Sequence, residues 1–216
     1  MLNHKKNLNY LRREYKLNKL SEKNVRKIPF LQFSIWFDEV LNAEIIEPNA
    51  MILSTADKNN KPSARVVLMK GFDETGFTFF TNYNSKKGKE LSINPNASLL
   101  FFWVELERQV RVEGRVKKVS KKDSELYFNT RPFESRIGAL ASSQSIKIDD
   151  RSLLEKKFND LKIKYAGGKV PVPDDWGGYK LIPNYFEFWQ GRENRLHDRI
   201  GYKKRRGEWI IIRLSP

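Results

Sequence analysis

The sequence predicts an α+β protein, an antiparallel β-barrel carrying helices on its outside. Three observations lead there. Between Ala50 and Val119, short apolar and β-branched runs alternate with brief turn clusters, as in an antiparallel barrel or sandwich. Segments with helical spacing lie before, within and after these runs. With 216 residues, 39% hydrophobic and 12% aromatic, the chain is long enough for one large domain with a real core.

The elements follow in order. Residues 4 to 19 read as a polar helix, weakly anchored by Leu8, Leu11 and Tyr15. After Pro29, a helix from Phe30 to about Ala43 places Phe30, Phe33, Phe37 and Val40 on one side. The period then changes. Ala50 to Ala56 is a buried strand closed by the turn cluster Asp57 to Pro62, Ser63 to Phe72 a second, and Phe77 to Asn82 a third after a turn at Asp73 to Gly76. A short helix over Lys86 to Ile93 stops at Asn94-Pro95. Ser98 to Glu105 and Gln109 to Val119 are two more strands. Ser120 and Asp123 resemble a capping box, opening a helix to about Thr130 that Pro132 breaks. A helix from about Asp149 to Tyr165 ends at Gly167-Gly168. Strands return at Tyr185 to Gln190, Arg199 to Lys203 and Glu208 to Leu214.

Composition removes several chemistries. Without cysteine there is no disulfide, thiolate nucleophile or cysteine metal site. The two histidines, His4 and His197, cannot build a multi-histidine metal site. No Gly-x-Gly-x-x-Gly and no P-loop occur, so a bound phosphate must be gripped by Arg, Lys and hydroxyl side chains. No secretory h-region is visible and the apolar stretch Phe30 to Phe37 is too short to span a bilayer, so a cytoplasmic protein without a membrane partner is expected. The net charge of +15 fits either a nucleic-acid surface or sites for small anions. Basic pairs are scattered from Lys5-Lys6 to Arg205-Arg206 with no recognition helix or RNP-like strand to concentrate them, which argues against nucleic acid.

Arg195, His197 and Arg199 would share one face if their segment is extended, and three such groups together call for an anion or an electron-rich ring. A salt-bridged surface with Glu193 and Asp198 explains the same pattern equally well. Trp189 offers either a flat wall or core packing. Arg65 and Lys70 fall on opposite faces of a regular strand and serve one ligand only if the strand twists or the ligand lies along its edge. Tyr127, Arg131 and Ser135 are spaced i, i+4 and i+8, one side of a helix that Pro132 interrupts. Gln109, Gln144 and Ser145 have plain explanations as hydrogen-bonding residues of strands and turns.

Taken together in this order, these residues resemble the pyridoxine/pyridoxamine 5′-phosphate oxidase family. The resemblance runs from Arg12-Arg13-Glu14-Tyr15 to Arg213-Leu214-Ser215-Pro216. It passes through Arg65 to Lys70, Phe80-Thr81-Asn82, Ser85-Lys86-Lys87, Leu106 to Val110, Tyr127-Phe128-x-x-Arg131-Pro132, Gln144-Ser145, Phe188 to Gly191 and Arg195 to Arg199. It implies an FMN-binding split β-barrel, Greek-key-like, over residues 29–216, with a C-terminal dimerisation and substrate-binding region and a lid segment in residues 1–28. It implies oxidation of pyridoxine or pyridoxamine 5′-phosphate by O2 to pyridoxal 5′-phosphate and peroxide, in a homodimer with FMN at the interface. FMN would be held by Arg65, Val66, Val67, Leu68, Met69, Lys70, Phe80, Thr81, Lys86, Lys87, Gln109, Gln144, Ser145, Trp189 and Arg199. Substrate would meet Arg12, Arg13, Glu14, Tyr15, Lys70, Tyr127, Arg131, Ser135 and Leu196, with Arg195 and His197 over the pyridine ring as the catalytic pair.

Two positions depart from the family pattern. Asn18-Lys19 stands where relatives often carry two glycines, and Lys86 where they often carry Arg, which loses bidentate geometry. Two other readings compete: another split-barrel flavoprotein such as a flavin reductase, and a non-catalytic basic module for RNA or pyridoxal phosphate. The former would not require Tyr127, Arg131, Ser135, Arg195 and His197 together. The latter would be colourless.

Overall fold

The computed structural model describes residues 14–216. They form two compact units. The first comprises the described part of Met1–Ile46 with Phe102–Val110 and Glu187–Pro216; the second comprises Glu47–Phe101 and Arg111–Phe186.

The elements are α1 (Pro29–Asn42), β1 (Ala50–Ala56), β2 (Pro62–Leu68), β3 (Gly71–Asp73), β4 (Gly76–Asn82), α2 (Lys86–Ile93), β5 (Asn96–Trp103), β6 (Arg108–Lys118), α3 (Lys121–Thr130), α4 (Phe133–Ala141), α5 (Arg151–Lys164), β7 (Trp176–Gln190), β8 (Asp198–Arg205) and β9 (Glu208–Leu214). This is the α+β arrangement expected. Strands β1 to β7 lie in the order β2-β1-β5-β6-β7-β4-β3, so β2 is an edge strand. Strand β1 pairs antiparallel with β2 and β5, and β4 with β3 and β7. Among the described residues no helix is long and apolar enough to cross a membrane.

In the second unit the sheet buries Leu53, Phe77, Phe79, Leu99 and Phe101 completely, with Phe77 packed on Phe101 and Phe186 at 6.0 and 5.9 Å. Each such ring removed from water contributes about 1.5–3 kcal/mol. A second cluster of Phe128, Ile137, Val170 and Trp176 joins α3, α4 and α5 to the start of β7. The first unit has its own core, where Trp36 meets Phe188 edge-on at 5.2 Å and Phe188 meets Tyr202 at 5.5 Å.

Several expectations are corrected. Of the helix expected over residues 4 to 19, residues 4–13 lie outside the described residues and 14–19 are not helical. There the backbone finds tertiary acceptors instead: Leu17 N–H donates to the Glu107 carboxylate at 3.1 Å and Leu20 N–H to Asp198 at 3.0 Å. The strand expected over Ser63 to Phe72 is two strands. The chain changes partner at Met69-Lys70, whose N–H groups turn to Asn49 O and Thr78 O, both at 2.8 Å. The strand expected to run to Glu105 ends at Trp103 and gives way to a 3-10 turn at Val104–Leu106.

Pro132 ends α3 as expected, but it also caps α4, which the sequence reading missed. Proline lacks the N–H that a first turn leaves unpaired anyway. Strand β7 begins nine residues before the expected Tyr185 (185 − 176), through Gly177, Gly178 and Pro183. Gly177 is required: a Cβ there would sit 2.2 Å from the Tyr83 hydroxyl. Glycine within a strand marks such a close approach. Finally, Glu193–Arg195 is a 3-10 turn with Asn194 and Arg195 at φ 55° and 61°, so Arg195 does not share a strand face with His197 and Arg199.

Candidate functional site

A cavity of about 690 Å³ opens in the second unit, a size typical of ligand sites. One side is the edge strand β2, presenting Val66, Val67 and Leu68, with Lys70 just beyond its end. Because β2 has a neighbour on one side only, its other edge leaves backbone groups for a ligand to pair with. The floor comes from Phe80 and Thr81 of β4 and from Lys87 of α2. The far wall is Tyr127 of α3, Arg131 at its end, and Ser135 of α4. The break at Pro132 separates α3 from α4, and the three side chains still line one cavity.

An aromatic stack backs that wall. Phe80 lies 4.0 Å from Tyr127 and 5.4 Å from Trp176, with interplanar angles of 20° and 12°. The Arg131 guanidinium rests over Trp176 at 5.0 Å and Phe128 at 5.6 Å. Its Nη1 is buried with no hydrogen-bond partner among the described residues. Burial pushes the Arg131 pKa down, partly offset by Tyr127. A buried, unsatisfied donor costs about 1–3 kcal/mol, and an anion in the cavity would recover it.

Lys87 is the second cation. Ser85 caps α2 through Gly88 N–H and starts the helix so that Lys87 points inward. Its Nζ donates to Thr81 Oγ1 and Gln144 Oε1, both at 3.1 Å, and among the described residues no carboxylate pairs with it. Burial first, then the nearby Arg65 charge, lowers its pKa. The cavity thus offers two under-compensated cations, hydroxyls, an aromatic wall and an open strand edge. That inventory suits a flat ring compound bearing phosphate.

Of the residues singled out from sequence, Val66, Val67, Leu68, Lys70, Phe80, Thr81, Lys87, Tyr127, Arg131, Ser135 and Gln144 line this cavity. Met69 alternates away and is buried. Arg65 turns to Glu90, Lys86 is an exposed partner of Glu90 at 3.9 Å, and Ser145 is exposed with φ 71°. Asn82, Ser142 and Trp176 also line it and were missed. Asn82 stands in one of the family blocks, but Trp176 lies in a stretch to which the sequence assigns no element.

The remaining candidates gather in the first unit. Trp189 and His197 lie 4.6 Å apart, and Tyr15 packs edge-on to both at 5.7 and 5.6 Å. Gly191 makes room for Tyr15, since a Cβ there would approach the ring to 2.7–2.8 Å. Arg192 N–H donates to His197 Nδ1 at 3.1 Å, so the neutral imidazole carries its proton on Nε2. Arg199 is held by Glu187 at 2.8 Å and 3.1 Å. Asp198 pairs with Arg192 and Arg213, both at 2.9 Å. Gln109 is half-buried, and Leu196 and Arg195 are exposed. Glu14 pairs with Lys16 at 2.7 Å. Arg12 and Arg13 lie outside the described residues.

Burial, and next the Arg195 charge, hold His197 below its usual 6.5. Between the lowered value and 6.5 the unfolded chain binds more protons, so this group's stability contribution is present above 6.5 and lost as pH falls through the folded pKa. An NMR titration of His197 should show a midpoint below 6.5, shifted upward in Arg195→Ala. A midpoint at or above 6.5 would contradict the described packing.

Comparison with known proteins agrees with this geometry. The family model described as pyridoxamine 5′-phosphate oxidase matches residues 37–165, and the pyridoxine 5′-phosphate oxidase C-terminal dimerisation region matches residues 176–216. A pyridoxine/pyridoxamine 5′-phosphate oxidase of Cupriavidus necator is 55% identical over 207 residues, covering 95% of this chain and 97% of that protein. One from Gloeothece citriformis is 53% identical with the same coverage. Among solved structures, PhzG from Burkholderia lata in complex with tetrahydrophenazine-1-carboxylic acid superposes with a TM-score of 0.88 at 28% identity, covering 93% of this chain and 99% of that one. In fold and in sequence over nearly its whole length, the chain belongs to the pyridoxine/pyridoxamine 5′-phosphate oxidase family.

Proposed function

We propose that the protein oxidises pyridoxine or pyridoxamine 5′-phosphate to pyridoxal 5′-phosphate, using FMN and O2, as a homodimer whose sites draw residues from both subunits. The observation that carries this is the cavity holding the buried Lys87 and the half-buried Arg131, two cations with no carboxylate partner among the described residues, at separate positions around one aromatic-walled space. Two phosphorylated rings, cofactor and substrate, need two such grips.

On this reading Lys87, Thr81 and Gln144 hold the FMN phosphate, and the free edge of β2 at Val66 to Leu68 meets the flavin ring. Lys70, Tyr127, Arg131 and Ser135 hold the substrate phosphate. When bound, FMN supplies the acceptor for a hydride from the substrate's C4′ and the route by which electrons reach O2. The protein's own work is positioning, which requires no nucleophile. Arg195 orients the pyridine ring and offsets negative charge. His197, with its proton on Nε2, donates a hydrogen bond to the ring or handles the proton released from the 4′ hydroxyl or amine. Tyr15, packed beside His197 and Trp189, covers the ring, and Arg199 and Trp189 complete the flavin's surroundings.

The test is turnover of the FMN-loaded protein in air. Pyridoxine 5′-phosphate should yield pyridoxal 5′-phosphate and peroxide in equal amounts, and unphosphorylated pyridoxine should be a far poorer substrate. Equal rates for the two would remove the phosphate role given to Arg131.

A further inference from the structure

Arg65 does not line the cavity, and what engages it instead is a buried carboxylate. Glu90 of α2 has a side chain only 6% exposed. Its Oε2 accepts from Thr55 Oγ1 at 2.5 Å, Ser63 Oγ at 2.7 Å and Arg65 Nη2 at 3.2 Å. Arg65 Nη1 donates to Leu53 O at 3.1 Å and also to Thr55, and Nη2 donates to Ser63. Both terminal nitrogens of the guanidinium are therefore fixed by β1, β2 and α2. Lys87 sits three residues before Glu90, one turn away on the same helix, and feels the Arg65 charge.

We propose that Glu90 is the resident counterion of this corner: it holds Arg65 in place and offsets its charge in the cofactor-free chain, until the phosphate of FMN supplies the anion that Arg65 and Lys87 together require. The inference rests on the FMN reading above. The charge count supports it. The half-buried Arg65 and the buried Lys87 face one buried carboxylate, and the exposed Lys86 adds a third cation 3.9 Å from it, so the corner retains excess positive charge. A second anion is welcome there, and the first cannot be spared while the second is absent. Glu90 is accordingly a positioning residue, acting on the cofactor through Arg65 and through the local field.

Glu90→Gln keeps the shape and an acceptor but deletes the charge, leaving Arg65 and Lys87 with no anion beside them. The penalty falls mainly on the unliganded chain, so a phosphate should stabilise the variant more than it stabilises the wild type. The experiment is thermal melting of the full chain alone, with FMN, with riboflavin (the same ring without phosphate) and with inorganic phosphate. The unliganded variant should melt about 5–10 °C below the wild type. FMN should recover most of that loss and inorganic phosphate part of it, while riboflavin should act equally on both proteins. Ser63→Ala, which loosens the cluster without altering charge, should respond to FMN and riboflavin as the wild type does.

An FMN increment in Glu90→Gln no larger than in the wild type, or equal recovery by riboflavin, would overturn the proposal. If FMN fails to stabilise even the wild type, the cofactor reading falls, and the inorganic phosphate arm alone decides on Glu90. Should Glu90→Gln not fold, the double variant Arg65→Met/Glu90→Gln removes the pair together and should fold, with a phosphate-specific gain no larger than the wild type's because Lys87 remains. Failure of that protein to recover would equally overturn the counterion role.

Discussion

Arg131→Met is expected to lower kcat/KM for pyridoxine 5′-phosphate about 100- to 1000-fold while the unliganded protein melts at or above the wild-type temperature. The loss follows from two charge-assisted hydrogen bonds to phosphate, taken at the low end of their range and together about 3–4 kcal/mol, with tenfold in rate for every ~1.4 kcal/mol. The stability result follows from what the side chain does in the empty cavity. Among the described residues Nη1 is buried without a hydrogen-bond partner and burial pulls the guanidinium pKa down, so the cost of burying that charge is only partly offset in the unliganded chain. Methionine keeps a long apolar stem against Trp176 and Phe128, although it gives up the cation–π contact. A residue costly to the resting fold and needed by the ligand is the signature of a site kept for function. A large fall in melting temperature with near-normal kcat/KM would reverse the assignment.

Lys87→Met should produce the parallel effect on the cofactor. Its Nζ holds Thr81 and Gln144 but no carboxylate, so its charge awaits an anion. Loss of one charge-assisted bond should weaken FMN binding about 10- to 100-fold. Riboflavin, lacking the phosphate, should bind the two proteins within about threefold of each other, as read by quenching of flavin fluorescence. Equal weakening of both flavins would mean that Lys87 shapes the pocket without holding the phosphate.

Much of the fold was legible because local rules govern it. Strand β1, helix α2 and strand β9 fall where alternation, the Ser85 cap and flanking turn residues put them. The misses share a cause. Helix α4 was hidden because Pro132 reads as a stop, and only the return of Phe133 and Ile137 to the Phe128–Trp176 cluster shows that it is also a start. The first half of β7 was hidden because Gly177 and Gly178 carry no strand signal, whereas the close approach of Tyr83 and Phe80 demands glycine there. The strap at residues 14–19 is set by the distant acceptors Glu107 and Asp198, which no local window contains.

The site was legible to a similar degree. Spacing alone suggested that Tyr127, Arg131 and Ser135 could converge, and they do so around one cavity. Spacing also placed Arg195 and His197 on one strand face, which the 3-10 turn at Glu193–Arg195 removes. Trp176 was missed because a lone tryptophan in an apparent loop carries no signal; its role comes from stacking with Phe80 and Tyr127. The Arg65–Glu90 pairing joins a strand to a helix 25 residues later and is invisible without the fold.

The measurement that bears most directly on the proposed oxidase is an anaerobic titration of the FMN-loaded protein with pyridoxine 5′-phosphate, following the flavin absorbance. The expected result is bleaching in proportion to added substrate, reversed when air is admitted, with pyridoxal 5′-phosphate formed. A flavin that ignores pyridoxine and pyridoxamine 5′-phosphate but bleaches with NADH would contradict it and cancel the substrate roles of Arg131, Arg195 and His197.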